Sequence, residues 1–423
     1  MKRPAALLLI VVTALAAFAE TSNSPSDAKP SPAERSIAQA KQLMQKNPKD
    51  FEAYNALALA LSRRARETSD VDYYAQAEEA LQQSSAISPG NFDGARTHVW
   101  LLLGKHEFAA ALEEAKKLNK RMPDDVMTYG FLTDANVELG NYKDAETAAQ
   151  MMLDLRPGNL PALTRAAYLR ELFGDIDGAL ELMNMALQST SPSEVEDTAW
   201  ILSQMAHLEL AVGKTAEAEK YLQQALTLFP GYHYALGNLA KARIQQKRYD
   251  EAVQLLQQRY EAAPHAENLF DLAEALRLAG RSEDAKKAFA EFEQKSLLET
   301  NRGDNSNREL IFYYADYAHE ALKPLEVAKR EFARRHDVYT LDSYAWALHV
   351  NGQDQEARKQ IEAALLAVGL RDAKLIRHAG EIVLATGDRA AAEKYLREAA
   401  DLNTAESWQA RATLARLSST LTQ

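Results

Sequence analysis

The sequence predicts an all-α solenoid, a stack of roughly ten helix pairs with a capping helix at each end. Proline recurs at intervals of about 34 residues, at Pro89, Pro123 and Pro157. Gly140 and Gly174 repeat the same interval. Each interval holds two amphipathic stretches and no run of alternating apolar residues that would indicate a strand. A period of this length with two helices is typical of repeat architectures, in which each unit packs only on its neighbours.

The unit from Leu202 to Pro230 illustrates how one helix pair is built. Met205 and Ala206 share a face with Leu202, because residues three and four apart lie on one side of a helix. Gly213 follows, where a positive φ closes the first helix. The second helix also carries small and large side chains on one face, at Ala218, Leu222 and Ala225. Small residues allow the two helix axes to approach closely.

This arrangement resembles the tetratricopeptide repeat family. The family pattern has a large apolar residue, a small residue four positions later, alanine early in the second helix and alanine or proline near its end. Four further copies carry it: Leu163, Ala167, Ala179 and Ala186; Leu236, Ala240, Ala252 and Pro264; Leu341, Ala345, Ala357 and Ala364; Ile376, Gly380, Ala392 and Ala399. The resemblance implies a right-handed superhelix whose first helices line a concave groove.

The first residues have the features of an export signal. Lys2 and Arg3 precede an apolar stretch of about fourteen residues, which is short for a membrane span. Small residues follow at the two positions that signal peptidase reads. We therefore expect residues 1–19 to be a signal peptide of an exported bacterial protein, periplasmic or secreted, with an uncleaved anchor as the alternative. Residues 20–32 are rich in Ser and Pro and predict a disordered linker.

Residues 33–296 are expected to form the N-terminal repeat array. It begins with a capping helix, and its first pair is longer than the norm. The second pair places its turn early, at Gly104, and Ser189–Glu196 is an enlarged linker. Arg259 stands at a position where the repeat usually has alanine.

The rhythm breaks at residues 297–307, which are either a hinge between two sub-stacks or a loop on a continuous solenoid. Residues 308–423 are expected to hold the C-terminal repeats. Their first pair is irregular, with a turn at Lys323–Pro324, and Glu406–Ser418 predicts the terminal capping helix.

Composition narrows the classes of function. The formal net charge is −11, with 60 acidic and 49 basic residues. This argues against a general nucleic-acid or anionic-membrane binder. The absence of cysteine excludes disulfides, thiol catalysis, thiolate zinc sites and iron–sulfur clusters.

The catalytic motifs in the sequence are incomplete. Gly213–Thr215 matches the end of a phosphate-binding loop, but Leu208 stands where the loop needs its first glycine. His319 lacks the second histidine of a zinc-protease helix, because position 323 is Lys323. We predict no enzyme activity, no cofactor and no metal site.

The resemblance places the binding site in the concave groove. The inward positions of the first helices hold Tyr168, Trp200, His207, Tyr234, Lys241, Phe270, Glu274, Arg277, Tyr339, Asp342, Trp346, Arg377 and Glu381. Trp200 and Tyr234 occupy the same position in successive repeats, so we expect their rings to form a ladder. Aromatic and arginine side chains are where binding energy concentrates.

The predicted function is that of an exported, non-catalytic scaffold that binds a partner protein or peptide in this groove. Two alternatives remain open at this point. One is an accessory subunit of an envelope enzyme. The other is a receptor for a glycan or small ligand, in which the groove aromatics stack on sugar rings.

Overall fold

The computed structural model describes residues 30–68, 70–300, 302 and 305–419, and in this part of the chain the fold is built from helices without strands. The predicted signal peptide, and the linker as far as residue 29, lie outside the described residues. The helices are α1 (Pro32–Lys46), α2 (Phe51–Thr68), α3 (Asp72–Ile87), α4 (Phe92–Gly104), α5 (Phe108–Arg121), α6 (Val126–Glu138), α7 (Tyr142–Leu155), α8 (Leu160–Leu172), α9 (Ile176–Ser189), α10 (Val195–Ala211), α11 (Thr215–Leu228), α12 (His233–Gln245), α13 (Tyr249–Ala262), α14 (Ala266–Leu278), α15 (Ser282–Glu299), α16 (Asn307–Phe312), α17 (Lys323–Phe332), α18 (Val338–Val350), α19 (Asp354–Ala367), α20 (Ala373–Ala385), α21 (Arg389–Asp401) and α22 (Ser407–Ser419).

These helices form one cap, ten pairs and a second cap. α1 packs on α2, the pairs run from α2–α3 to α20–α21, and α22 packs on α21. Each helix contacts its partner in the pair and the adjoining helix of the next pair. The prediction of an all-α repeat solenoid is confirmed.

The seam between the helices of a pair is lined by small side chains. In the pair α10–α11, Ala206, Ala218 and Ala225 are completely buried. Leu222 of α11 is buried against them. A larger residue at an alanine position would force the helix axes apart, which typically costs about 1–3 kcal/mol.

In nine of the ten pairs the turn holds a described residue with positive φ. The position of this residue keeps the period better than the sequence suggests. Gly140 and Gly213 have φ of 76° and 75°. In the second pair Gly104 still belongs to α4, and His106, one full repeat before Gly140, takes the positive φ of 56°. The early turn predicted at Gly104 is therefore wrong. Glycine is needed there because a β-carbon would lie 2.8 Å from the hydroxyl of Tyr74.

Arg259 is accommodated by a compensating glycine. A β-carbon at Gly237 of the facing helix α12 would lie 3.0 Å from Arg259 Nε. The guanidinium is buried and forms an ion pair with Asp271 of the next helix. In this pair the small residue at the contact thus lies on α12, as Gly237, and the large one lies on α13, as Arg259.

The eighth pair departs from the repeat. α16 is short and continues into a π-helical segment, Tyr313–Tyr317. The helix then ends, and His319 in the connecting segment has a positive φ of 53°. Lys323 and Pro324 begin α17, so the turn predicted at Lys323–Pro324 is wrong. Proline is favourable in the first turn of a helix because the amide hydrogen it lacks has no partner there.

Part of the irregular segment 297–307 is helical, because α15 continues to Glu299. Asn307, at the start of α16, ties the two helices together. Its side-chain amide donates to the carbonyl of Thr300 (3.1 Å) and to Glu331 Oε1 (2.6 Å). Residues on both sides belong to one compact unit that begins at Pro32. The division into two sub-stacks stays a prediction.

Distant repeats dock on each other. The amide of His336 donates to the carbonyl of Glu138 (3.2 Å), and the amide of Val338 donates to Tyr142 Oη (2.8 Å), 196 residues away. A β-carbon at Gly140 would lie 2.6 Å from the carbonyl oxygen of His336. The turn of the third pair therefore lies directly against the loop before α18.

The same docking recurs further along. Gly174 lies against the carbonyl of Gly369, and a β-carbon at Gly213 would lie 3.2 Å from the carbonyl oxygen of Leu402. Three successive turns thus meet three successive inter-repeat loops. The solenoid winds back on itself, and its first helices enclose a space along the axis.

Candidate functional site

The enclosed space is lined by one residue from each first helix. Four of them follow each other at intervals of one repeat: Arg66, Trp100, Asp134 and Tyr168. After the enlarged linker the series continues at nearly the same interval: His207, Lys241, Glu274, Arg308, Asp342 and Arg377. Each first helix thus contributes one residue to the axis, but at different positions in the repeat. The residues from Trp100 to Glu274 lie six positions before the positive-φ residue of their turn, whereas Asp342 and Arg377 lie ten positions before it, one helical turn earlier.

Three adjoining cavities make up this space, which we call the axial channel. The first has a volume of about 600 Å³ and the second about 390 Å³. They share four lining residues, Tyr234, Glu267, Arg308 and Tyr339. The third, of about 120 Å³, shares Lys241, Glu274 and Lys374 with the second. The three cavities thus adjoin one another.

Most of the predicted groove residues reach the channel. Ten of them line its cavities: Tyr168, His207, Tyr234, Lys241, Phe270, Glu274, Arg277, Tyr339, Asp342 and Arg377. The other three, Trp200, Trp346 and Glu381, are not among the residues that line these cavities.

The two aromatic residues predicted to form a ladder have different environments. Trp200 packs against two clusters of buried apolar side chains from α8 to α12. The ring of Tyr234 contacts those of Tyr232 and His233, with centroids 5.6 and 4.0 Å apart, and faces the channel. Of these two residues, only Tyr234 is among the described residues that line the channel.

Three tyrosines contribute to the walls of the two larger cavities of the channel. Tyr234 and Tyr339 line both of its larger cavities, and Tyr168 lines the first. Burial raises the pKa of each of these phenols above its ordinary value. Their hydroxyl groups therefore stay protonated and can donate hydrogen bonds to a ligand.

The arginines of the first cavity are held by carboxylates. Arg165 forms two hydrogen bonds with Asp134, from Nε to Oδ1 (2.8 Å) and from Nη2 to Oδ2 (2.5 Å). Arg335 lies 3.5 Å from Glu138 and 3.3 Å from Asp337. Its guanidinium does not fully compensate the two acids, since burial and the charge of Asp337 raise the pKa of Glu138 to about 7.

The second cavity carries an excess of negative charge. Seven acidic residues line it: Glu267, Asp271, Glu274, Glu309, Asp342, Asp372 and Glu406. Four basic residues line it: Lys241, Arg259, Arg308 and Lys374. Burial raises the pKa of Glu274 above its usual range and that of Asp342 to about 7. This part of the channel therefore favours a positively charged ligand.

Several lining residues are absent from the predicted set, and some of them have a detectable signal. Arg66, Trp100 and Asp134 precede Tyr168 in steps of 34 residues, and Arg308 precedes Asp342 by 34 residues. Extending the count to every pair would have found them. Arg335 and Asp337 come from the loop before α18, and they reach the channel through the docking of distant repeats, which the period does not encode.

The described residues contain no group of three or more His, Asp or Glu side chains placed to hold a metal ion. No helix among them is long and apolar enough to cross a membrane. Aromatic faces, phenol hydroxyl groups and carboxylates surround the channel.

This fold and this channel define an α-helical repeat protein with an internal channel. A family model described as tetratricopeptide repeat matches residues 209–268, the span that covers the end of α10, α11, α12, α13 and the start of α14. This match supports a tetratricopeptide-repeat protein. Repeats of this class build protein-interaction scaffolds, and the fold is in general non-catalytic.

Comparison with known proteins agrees at the level of fold. The SGT1 homolog of Bos taurus is 34% identical over 92 residues, which are 22% of this chain and 27% of that protein. The chain thus matches about a quarter of that relative's length. Human IFIT1, solved as a dimer with m7Gppp-AAAA, superposes with a TM-score of 0.51 at 16% identity, covering 86% of this chain and 84% of IFIT1.

Proposed function

We propose that this chain is an exported bacterial scaffold without catalytic activity, which binds an extended segment of a partner protein in the axial channel. The observation that carries the proposal is the column of ten residues along the channel, one from each first helix. A surface that repeats once per helix pair suits a ligand that also extends from pair to pair, as an extended polypeptide does.

The walls have the chemistry of a protein interface. Tyr168, Tyr234 and Tyr339 combine a large apolar face with a hydroxyl donor, and tyrosine is among the residues that dominate binding energy. Asp134 and Glu138 offer carboxylate acceptors to main-chain amides. The formal charge of −11 weighs against a nucleic acid as the partner.

The proposal of export rests on the sequence of residues 1–19, with its basic start and apolar core. Expression with this segment in place lets one preparation address both parts of the proposal. The mass of the purified chain gives the cleavage site, and fractionation gives the compartment. A chain that retains residues 1–19 and stays in the cytosol contradicts export and leaves the binding proposal intact.

The channel is tested by capture of the partner in the cell. A C-terminally tagged chain is lightly cross-linked, purified and analysed by mass spectrometry, beside the double variant Tyr168→Ala, Tyr234→Ala. We expect one protein to be enriched with the wild type and depleted at least about tenfold with the variant. The control is Leu366→Ala, whose side chain is 87% exposed on a second helix.

Each outcome has a definite meaning. Loss of the partner in the tyrosine variant but not in the leucine variant supports the channel. Retention in the tyrosine variant with loss in the leucine variant assigns binding to the outer surface and contradicts the proposal. Circular dichroism of both variants verifies that the helical fold is kept.

A further inference from the structure

A chain of buried polar side chains ends at the wall of the second cavity. Arg377 Nη2 lies 2.8 Å from His378 Nε2, and His378 Nδ1 lies 2.8 Å from Asp342 Oδ1. Because arginine only donates, His378 Nε2 must accept, and the ring proton therefore sits on Nδ1 and is donated to Asp342. Burial keeps the pKa of His378 well below its usual value, so the ring is neutral.

The polar chain continues from Arg377, which lines the third cavity, and is fixed by packing. Arg377 Nη1 donates to Glu381 Oε1 (3.2 Å). The indole of Trp346 stacks on the His378 ring, with centroids 4.1 Å apart and planes at 17°. Trp346 Nε1 in turn donates to Asp316 Oδ1 (2.8 Å). Trp346, Arg377 and Glu381, predicted as groove residues, thus belong to the network that orients the His378 ring and, through it, Asp342.

The burial of these side chains lowers the stability of the folded state unless they are well paired. Asp342, Arg377 and His378 are 4%, 5% and 0% exposed. Burying charged and polar groups costs several kcal/mol unless they are well paired. The result is a carboxylate held in one orientation beside a cavity, with His378 occupying only one of its two oxygens in the hydrogen bonds of the described residues.

Two of the three cations that act on Asp342, Lys374 and Arg308, also contact other groups, while the third, Arg377, acts from behind His378. The ammonium of Lys374 lies over the ring of Phe312, 3.5 Å from its centroid. Arg308 donates through Nε to Glu309 (3.2 Å), and its guanidinium lies over Tyr339. The raised pKa of Asp342 reflects this incomplete compensation of a buried carboxylate.

Building on the proposed function, we propose that the second cavity receives a lysine or arginine side chain of the partner segment, and that Asp342 is its anchor. A carboxylate held in place by a fixed neighbouring donor pairs strongly with a cation, since an ionised hydrogen bond is about twice as strong as a neutral one. Seven acidic and only four basic residues line the cavity, so the electrostatic potential there attracts a cation. His378 and Arg377 act as positioning residues for Asp342.

The proposal is tested with peptide probes on the whole chain. Three octapeptides with blocked ends alternate serine with lysine, glutamine or glutamate. Binding is measured by calorimetry at one fixed salt concentration. We expect the lysine peptide to bind at least about tenfold more tightly than the glutamine peptide, with the glutamate peptide weakest.

The decisive variant is Asp342→Asn. It removes the charge and keeps an oxygen that can accept from His378, so the buried chain stays connected. We expect its affinity for the lysine peptide to fall at least about tenfold. Glu283→Gln is the matched control, because it removes the same charge from a side chain that is 79% exposed. A loss that both variants share reflects net charge only and overturns the proposal.

A second variant covers the case in which Asp342→Asn fails to fold. Glu406→Gln lowers the negative charge of the same cavity from the segment that leads into α22. Among the hydrogen bonds of the described residues, Glu406 accepts from Thr404 and forms none with the four side chains of the buried chain. We expect a smaller loss of lysine-peptide affinity than for Asp342→Asn, and a larger one than for Glu283→Gln. Preference for the glutamate peptide, or no preference among the three, contradicts a cation site.

The two proposals fail in different ways. If capture of the partner depends on Tyr168 and Tyr234 while Asp342→Asn leaves capture and peptide binding unchanged, the scaffold function stands and the cation site is wrong. If the lysine peptide binds through Asp342 but capture is insensitive to the channel, the cation site stands and the partner lies elsewhere.

Discussion

At the scale of single residues, the repeat tolerates an unusual side chain when the residue facing it changes as well. Arg259 replaces the usual alanine of α13, and Gly237 of α12 leaves the space it needs. The arginine gains an ion pair with Asp271 across to α14. The two positions are therefore energetically coupled, and neither can be assessed alone.

Gly237→Ala is expected to destabilise the protein. The new β-carbon would lie 3.0 Å from Arg259 Nε, and overpacking typically costs about 1–3 kcal/mol. The helix propensity of alanine offsets up to about 1 kcal/mol of this. We expect a net loss of roughly 1–2 kcal/mol in the free energy of unfolding, measured by urea denaturation followed by circular dichroism.

The double variant Gly237→Ala, Arg259→Ala provides the control. It restores the small residue that the repeat normally has in α13 and removes the steric conflict. We expect it to be more stable than Gly237→Ala alone, although the ion pair with Asp271 is lost. Simple additivity of the two single effects would show that the positions are not coupled.

The channel residues show what a repeat count can and cannot predict. Counting in steps of one repeat finds Tyr168 and also Asp134, which the predicted set lacks. It cannot decide between Trp200 and His207, which lie one heptad apart in α10. A heptad rotates a side chain by only about 20° about the helix axis. Whether both reach the channel then depends on the tilt of α10, which is set by packing with neighbouring helices.

At the scale of elements, helix pairs are predictable because each is held by local contacts. The apolar face, the turn and the next pair all follow within one period. The turn of the second pair is wrongly predicted because a glycine suggests a positive φ at Gly104. The structure gives that conformation to His106, and Gly104 serves to admit Tyr74. Glycine alone thus does not separate a turn from a close contact.

Lys247 offers a test of the turn rule. It has a positive φ of 61° at a position where most pairs have glycine. A left-handed conformation costs a residue with a β-carbon about 1–2 kcal/mol relative to glycine. We expect Lys247→Gly to raise the free energy of unfolding by roughly 0.5–1 kcal/mol, since glycine also loses more entropy on folding. Thermal and urea denaturation measure the change.

Lys247→Ala separates backbone conformation from loss of the side chain. Alanine has the same conformational restriction as lysine, so this variant should not gain stability. A gain of similar size in both variants would attribute the effect to removal of the lysine charge and not to the backbone.

At the scale of the whole folded unit, the docking of distant repeats is the feature that sequence could not reveal. Glu138 and Tyr142 meet the segment 336–338, which lies far along the chain. Small rotations between successive pairs add up over six repeats to decide whether such surfaces meet. The period gives the number of pairs, while the rotation per pair depends on many packing contacts at once.

This docking contains a titratable group, and the pH dependence of stability therefore reports on it. The Glu138 side chain is 28% exposed at the channel, and the charged groups that act on it are Arg335 and Asp337 of the opposing loop, Asp134 of its own helix and Arg308 of α16. Burial and Asp337 raise its pKa in the folded state to about 7, above the ordinary value of 4.5. Between about pH 4.5 and pH 7, Glu138 in the folded state thus holds a proton that it has released in the unfolded state. The stability from this proton is present in full below pH 4.5 and is lost as the pH rises through about 7.

Glu138→Gln removes this titration and retains an oxygen that can face Arg335. Between pH 5 and pH 8, we expect the wild type to lose roughly 1–2 kcal/mol more of its free energy of unfolding than the variant does. The difference between the two curves cancels groups that titrate in both, including Asp342 and His233. Glu283→Gln, at an exposed ion pair with Lys286, should run parallel to the wild type over this range. If Glu138→Gln also runs parallel, the carboxylate is solvated in solution, and the contact between the distant repeats must open far more than the structure indicates.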